Sequence, residues 1–83
     1  MNAREMFEEL GYELVKINKY EICFTKELND GNRYGIEFDI ERNDVDYYVV
    51  QDGFRFYGND YDNKTNRAIH QQMKELGWLD WTK

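Results

Sequence analysis

Eighty-three residues allow one small domain, 1–83, with a thin core, because a chain of this size buries only about 60–65 % of the surface its unfolded form exposes. A composition that is 41 % hydrophobic and 17 % aromatic excludes a disordered chain, and a net charge of −6 argues against direct nucleic-acid binding, which needs a basic footprint. The single cysteine, Cys23, rules out an internal disulfide. No apolar run approaches the ~20 residues of a membrane span, and the polar opening Met1–Glu9 lacks the apolar stretch of a signal peptide. The expectation is a cytoplasmic protein.

The first helix is marked by Asn2 as cap, Glu5 three residues later as in a capping box, and Ala3, Phe7 and Leu10 on one face with Met6 beside them. Gly11 suits the residue after the helix, and Tyr12 is placed to fold back on Phe7. Strands then follow one another. Glu13 to Ile17 carries Leu14, Val15 and Ile17, and Asn18-Lys19 reads as a turn. Tyr20, Ile22 and Phe24 alternate with Glu21, Cys23 and Thr25. Asn29-Asp30-Gly31-Asn32 is a hairpin signal in which Asp-Gly would supply the positive φ values. Tyr34, Ile36, Phe38 and Ile40 alternate with Gly35, Glu37, Asp39 and Glu41; Val45, Tyr47 and Val49 alternate with Asp46, Tyr48 and Val50. Asp52-Gly53 turns into Phe54-Arg55-Phe56-Tyr57, and Gly58 to Asn63 reads as a polar loop. The last helix runs from about Thr65 to Leu76, with Ile69, Met73 and Leu76 on one face and Gly77-Trp78 as its stop. The fold class is α+β: helix, a four- to five-stranded antiparallel meander, helix, with both helices on one face of the sheet.

If Tyr34, Ile36, Phe38 and Ile40 face the core, Glu37, Asp39 and Glu41 face the other way. Val45, Tyr47 and Val49 inward leave Asp46 and Tyr48 outward in the same manner. From Ile36 to Asp62 there are eight acids against Arg42 and Arg55, a net −6 that equals the charge of the whole chain. One reading is that these charges only keep an exposed strand face soluble. The other is recognition. Carboxylates repeating at the ~6.6–7 Å spacing of alternate strand residues, with tyrosines between them, resemble phosphates and bases as a basic groove meets them. Electrostatic steering would make such binding fast. The binding residues on that reading are Glu37, Asp39, Glu41, Asp46 and Tyr48, with Asp44, Asp60 and Asp62 at the rim.

Catalytic chemistry is poorly represented. His70 is the only histidine and sits at the margin of the last helix's apolar face. A zinc site using His70 with Cys23 or with Asp60 and Asp62 would lack paired Cys or His spacing. The run Asn59-Asp60-Tyr61-Asp62-Asn63-Lys64 fails as a calcium loop, because Lys64 stands at the third oxygen position. No cofactor is expected. Cys23 alternates outward in its strand with no base nearby, a poor setting for a thiolate nucleophile. The aromatic tail Trp78-Leu79-Asp80-Trp81 reads as a lid on the core or as a partner anchor. No enzyme is expected.

The opening Met1-Asn2-Ala3-Arg4-Glu5-Met6-Phe7-Glu8-Glu9-Leu10-Gly11-Tyr12, the ending Ile69-His70-Gln71-Gln72-Met73-Lys74-Glu75-Leu76-Gly77-Trp78-Leu79 and the Lys26–Gly31 hairpin resemble small acidic accessory proteins of phages and prophages of Gram-positive bacteria. The resemblance implies stoichiometric binding to host machinery. It points to an anti-CRISPR role in which a type II CRISPR effector nuclease is kept from binding DNA, and it transfers no functional residues. The alternative is a structural or regulatory interaction module of the phage, monomeric or homodimeric, using the aromatic tail or an open strand edge. Neither reading involves a membrane.

Overall fold

The computed structural model describes residues 1–58 and 61–78. In chain order these form α1 (Ala3–Glu9), β1 (Glu13–Ile17), β2 (Glu21–Glu27), β3 (Arg33–Asp39), β4 (Asp44–Gln51), β5 (Phe54–Gly58) and α2 (Asn63–Glu75). The strands make one antiparallel sheet in the order β1-β2-β3-β4-β5, so each short connection joins nearest neighbours. The expected meander has five strands.

Both helices lie on one face. Phe7 of α1 and Ala68 and Ile69 of α2 share a core with Ile22, Phe24, Ile36 and Phe38. Phe7 stacks on Phe24 with ring centroids 4.2 Å apart, and Phe7, Phe24, Ile36 and Phe38 are the largest fully buried side chains. Each such burial contributes about 1.5–3 kcal/mol. That matters because α1 has only 7 residues and a helix so short is not stable by itself. Asn2 and Glu5 close the expected capping box. The Glu75 carboxylate of α2 accepts the Ala3 N–H at 2.7 Å, which ties the start of α1 to the end of α2.

Both helices end alike. Tyr12 N–H donates to the Phe7 carbonyl and Gly11 N–H to that of Glu8; Trp78 N–H and Gly77 N–H donate to the carbonyls of Met73 and Lys74 in the same pattern. The Tyr12 ring meets Phe7 edge-on at 5.7 Å, and the Trp78 ring reaches Phe38 at 6.2 Å.

Three details differ from expectation. Helix α2 starts at Asn63, earlier than its apolar face indicates, because Asp62 caps it by accepting the Thr65 N–H at 2.8 Å. In the β2–β3 turn only Gly31 takes a positive φ; the Asp30 carboxylate accepts the Asn32 N–H at 3.0 Å and leaves Asp30 itself in an ordinary conformation. In β1 the register shifts between Leu14 and Lys16, which leaves Val15 without a partner across the ladder and sets Ile17 opposite Ile22. Both Val15 and Ile17 are exposed, and of this strand only Leu14 packs against the core. Leu79, Asp80 and Trp81 of the aromatic tail, and Asp60, lie outside the described residues.

Candidate functional site

The sheet face away from the helices is built by alternation. Ile22, Phe24, Ile36 and Phe38 point into the core, so Cys23, Gly35, Glu37 and Asp39 point the other way, joined by Asp46 and Tyr48 of β4 and Arg55 and Tyr57 of β5. This face has two unlike regions.

Its centre is a depression of about 400 Å³ whose lining includes Cys23, Glu37, Tyr48 and Arg55. Tyr48 sits beside Gly35 in register, and its ring fills the space where a Gly35 side chain would stand. The Arg55 guanidinium lies 4.1 Å over that ring, donates to Glu37 Oε2 at 3.3 Å and reaches the Tyr57 hydroxyl at 3.4 Å. Tyr48 is therefore buried, 2 % exposed, rather than displayed for contact as its alternation suggests. The Tyr48 hydroxyl and the Cys23 Sγ are 3.9 Å apart. Burial pushes the Tyr48 phenol up to about 12 and also raises the Cys23 thiol, with the Tyr48 hydrogen bond acting in the opposite direction on the thiol. The Arg55 guanidinium is raised, chiefly by the Tyr57 hydroxyl. Cys23 is thus a buried thiol whose ionisation burial disfavours, whereas reactive cysteines have a lowered pKa.

The other region is acidic. Glu37 stands directly opposite Asp46, Asp39 opposite Asp44, and Glu21 opposite Asp39. Like charges in register destabilise a sheet. Glu21, Glu37, Asp39, Glu41 and Asp46 surround a shallow depression of about 180 Å³ with Tyr20 at its side. Compensation is partial: Lys16 pairs with Glu21 at 3.5 Å, Arg55 with Glu37 at 3.3 Å and Arg42 with Asp39 at 3.9 Å. Glu41, Asp44 and Asp46 have no ion pair among the described residues, and all three are exposed.

The structure therefore gathers Glu37, Asp39, Glu41, Asp44 and Asp46 at one end of this face. Tyr48 supports the face from beneath Arg55. Asp62 is elsewhere: it caps α2 on the helix side, and the Thr65 N–H holds its carboxyl below the usual carboxylate range. Two residues of this face escaped the sequence argument. Glu21 precedes Ile22, so β2 alternation already turns it outward. Arg55 lies between Phe54 and Phe56, and nothing in the sequence shows that it reaches across β4 to Glu37.

His70 is exposed on α2, on the opposite side of the sheet from Cys23, so these two cannot share an ion. Among the described residues no group of three or more His, Cys, Asp or Glu is placed to hold a metal, and no helix is long and apolar enough to cross a membrane. No protein-family model, curated protein or solved structure matches this chain.

Proposed function

We propose that this protein is a non-catalytic acidic ligand of another protein, and that the acidic end of its open sheet face occupies a basic surface which otherwise holds nucleic acid. The observation that carries this reading is the in-register stacking of like charges, Glu37 with Asp46 and Asp39 with both Asp44 and Glu21. Carboxylates needed only for solubility gain nothing by facing one another, and each such pair costs the fold stability. A basic groove repays that cost through charge complementarity and steering. The resemblance of both chain ends to phage accessory proteins implies a nucleic-acid enzyme of the bacterial cytoplasm as partner, with a type II CRISPR effector nuclease foremost. The protein would then act as a stoichiometric inhibitor of DNA binding.

The test is a titration of this protein into a purified type II effector nuclease with its guide RNA, reading target-DNA binding by mobility shift. Inhibition that saturates near one equivalent, weakens steeply with salt and disappears in the Asp39→Lys/Asp46→Lys variant supports the reading. Asp46 has no ion pair among the described residues and Asp39 is tied only to its near neighbour Arg42, whereas Glu37→Lys would also break the contact with Arg55 that covers Tyr48. Native circular dichroism of the variant checks that losing the Asp39–Arg42 contacts leaves the fold intact. Unimpeded DNA binding at a large excess of protein would remove the effector nuclease as partner.

A further inference from the structure

Strand β5 ends the sheet and stands outside the cover of the helices. Phe54, Phe56 and Tyr57 are 69 %, 53 % and 63 % exposed, and no described segment pairs with the outer side of the strand. Exposed edges are ordinarily blunted by lysines, prolines or bulges. The opposite edge follows this rule, with a register shift and Lys16 in β1. Strand β5 carries no lysine, no proline and no register shift, and its one charge, Arg55, is drawn over Tyr48 to Glu37. It is also the only described strand without an acidic residue, in a chain whose net charge is −6.

Backbone geometry narrows what can pair there. Asp52 and Gly53 both take positive φ, 52° and 81°, in a two-residue turn that makes Gln51 and Phe54 a hydrogen-bonded pair. Hydrogen-bonded and non-bonded pairs alternate along an antiparallel ladder. Phe56 therefore bonds to Val49, while Arg55 and Tyr57 present their N–H and C=O groups to the open edge.

We propose that β5 pairs antiparallel with the β5 of a second copy, about a two-fold axis at Phe56. This register sets Arg55 opposite the partner copy's Tyr57 in two symmetry-related hydrogen-bonded pairs, and Phe56 opposite Phe56 in the close non-bonded position. An axis at Arg55 would instead oppose two guanidinium groups, and an axis at Tyr57 would carry Arg55 past the end of the partner strand. The same register places Phe54 against Gly58. A Cβ on Gly58 would meet nothing within 4 Å, and beside it lies a groove of about 250 Å³ lined by Tyr34, Tyr47, Val49, Phe56 and Tyr57. The proposed register brings the Phe54 ring of each copy to the groove of the other. Because the axis is perpendicular to the sheet, all four helices fall on one side and both acidic ends remain free. A five-residue contact is smaller than the ~1,600 Å² of a standard interface, so the dimer is a weak, concentration-dependent one. The inference stands independently of the acidic-face reading.

The experiment combines sedimentation equilibrium with amide hydrogen exchange on the full chain and on Phe56→Lys, each checked for native circular dichroism. The mass of the unaltered protein should rise from 10.1 kDa toward double between micromolar and millimolar concentration. The Arg55 and Tyr57 amides should gain about tenfold protection over that range, while the Phe56 amide, already bonded to Val49, stays unchanged. Phe56→Lys should remain a monomer throughout. A constant 10.1 kDa mass, a dimer that leaves the Arg55 and Tyr57 amides unprotected, or equal association by Phe56→Lys would each overturn the proposal.

Discussion

The ring of Tyr48 on β4 fills the space that a side chain on Gly35 of β3 would need. A glycine in a central strand weakens it, since it costs backbone entropy and offers nothing to pack. Here the neighbouring aromatic ring supplies the missing contact, and Arg55 covers the ring. This three-layer arrangement packs Tyr48 into the helix-free face and fixes Arg55 where it can hold Glu37.

Gly35→Ala should therefore destabilise the protein by about 1–3 kcal/mol, because the added methyl drives Tyr48 off its position in an already packed site. Denaturant unfolding measures the cost. In a Tyr48→Ala background the same Gly35→Ala change should cost much less, since the two residues contend for one volume. Equal costs in the two backgrounds would contradict the packing described.

Cys23 and Tyr48 both ionise at higher pH in the folded chain than in the unfolded one, for reasons of burial, and so does Tyr12 beside Tyr47. A raised acid keeps its proton when folded, so its contribution is complete below the unfolded pKa and is lost as pH rises toward the folded value. Stability should thus be level in this respect up to about pH 8.5 and fall from there toward pH 12. Thermal melts from pH 7 to 11 show this, and Cys23→Ala should delay the onset of the decline. At pH 8 the Cys23 thiol should alkylate far more slowly than a free thiol does.

Asp46→Asn removes the charge directly opposite Glu37. It should stabilise the isolated protein slightly, by about 0.2–1 kcal/mol, and the gain should shrink as salt screens the repulsion. The same substitution should weaken partner binding. A variant that gains stability and loses affinity marks these carboxylates as held for recognition; carboxylates held only for solubility would give the same gain in stability with no change in affinity.

Asp62→Ala should lower the melting temperature by freeing the Thr65 N–H at the start of α2, and Asp62→Asn, which keeps an acceptor, should restore most of it. The depressed carboxyl of Asp62 gives its cap a definite pH dependence. The contribution is complete above the ordinary carboxylate pKa and is lost as pH falls through the lower folded value. Neither variant should alter binding to a basic partner, since Asp62 lies on the helix side.

Much of this architecture is legible from alternation and stop signals. The pattern Tyr34, Ile36, Phe38, Ile40 against Gly35, Glu37, Asp39, Glu41 assigns β3 its two faces, and the Leu-Gly-aromatic endings fix where both helices stop. The start of α2 was less legible, because Asp62 sits in a run of polar residues that reads equally well as loop. The acidic end of the face follows from counting charges, yet its in-register like pairs depend on the exact β3–β4 and β2–β3 registers, which one sequence does not determine. The burial of Tyr48 was hidden for the same reason: it alternates outward with Asp46, and only the register beside Gly35 lets its ring lie down and be covered.

The most direct measurement is a tagged pull-down from a Gram-positive bacterial lysate containing a CRISPR effector, with bound proteins identified by mass spectrometry and the folded Asp39→Lys/Asp46→Lys variant run in parallel. Binding through the acidic end of the sheet predicts a nucleic-acid enzyme retained by the unaltered protein, released by salt and lost in the variant. Equal retention by both proteins, or retention of no nucleic-acid enzyme by either, would contradict it and return the paired carboxylates to a role in solubility.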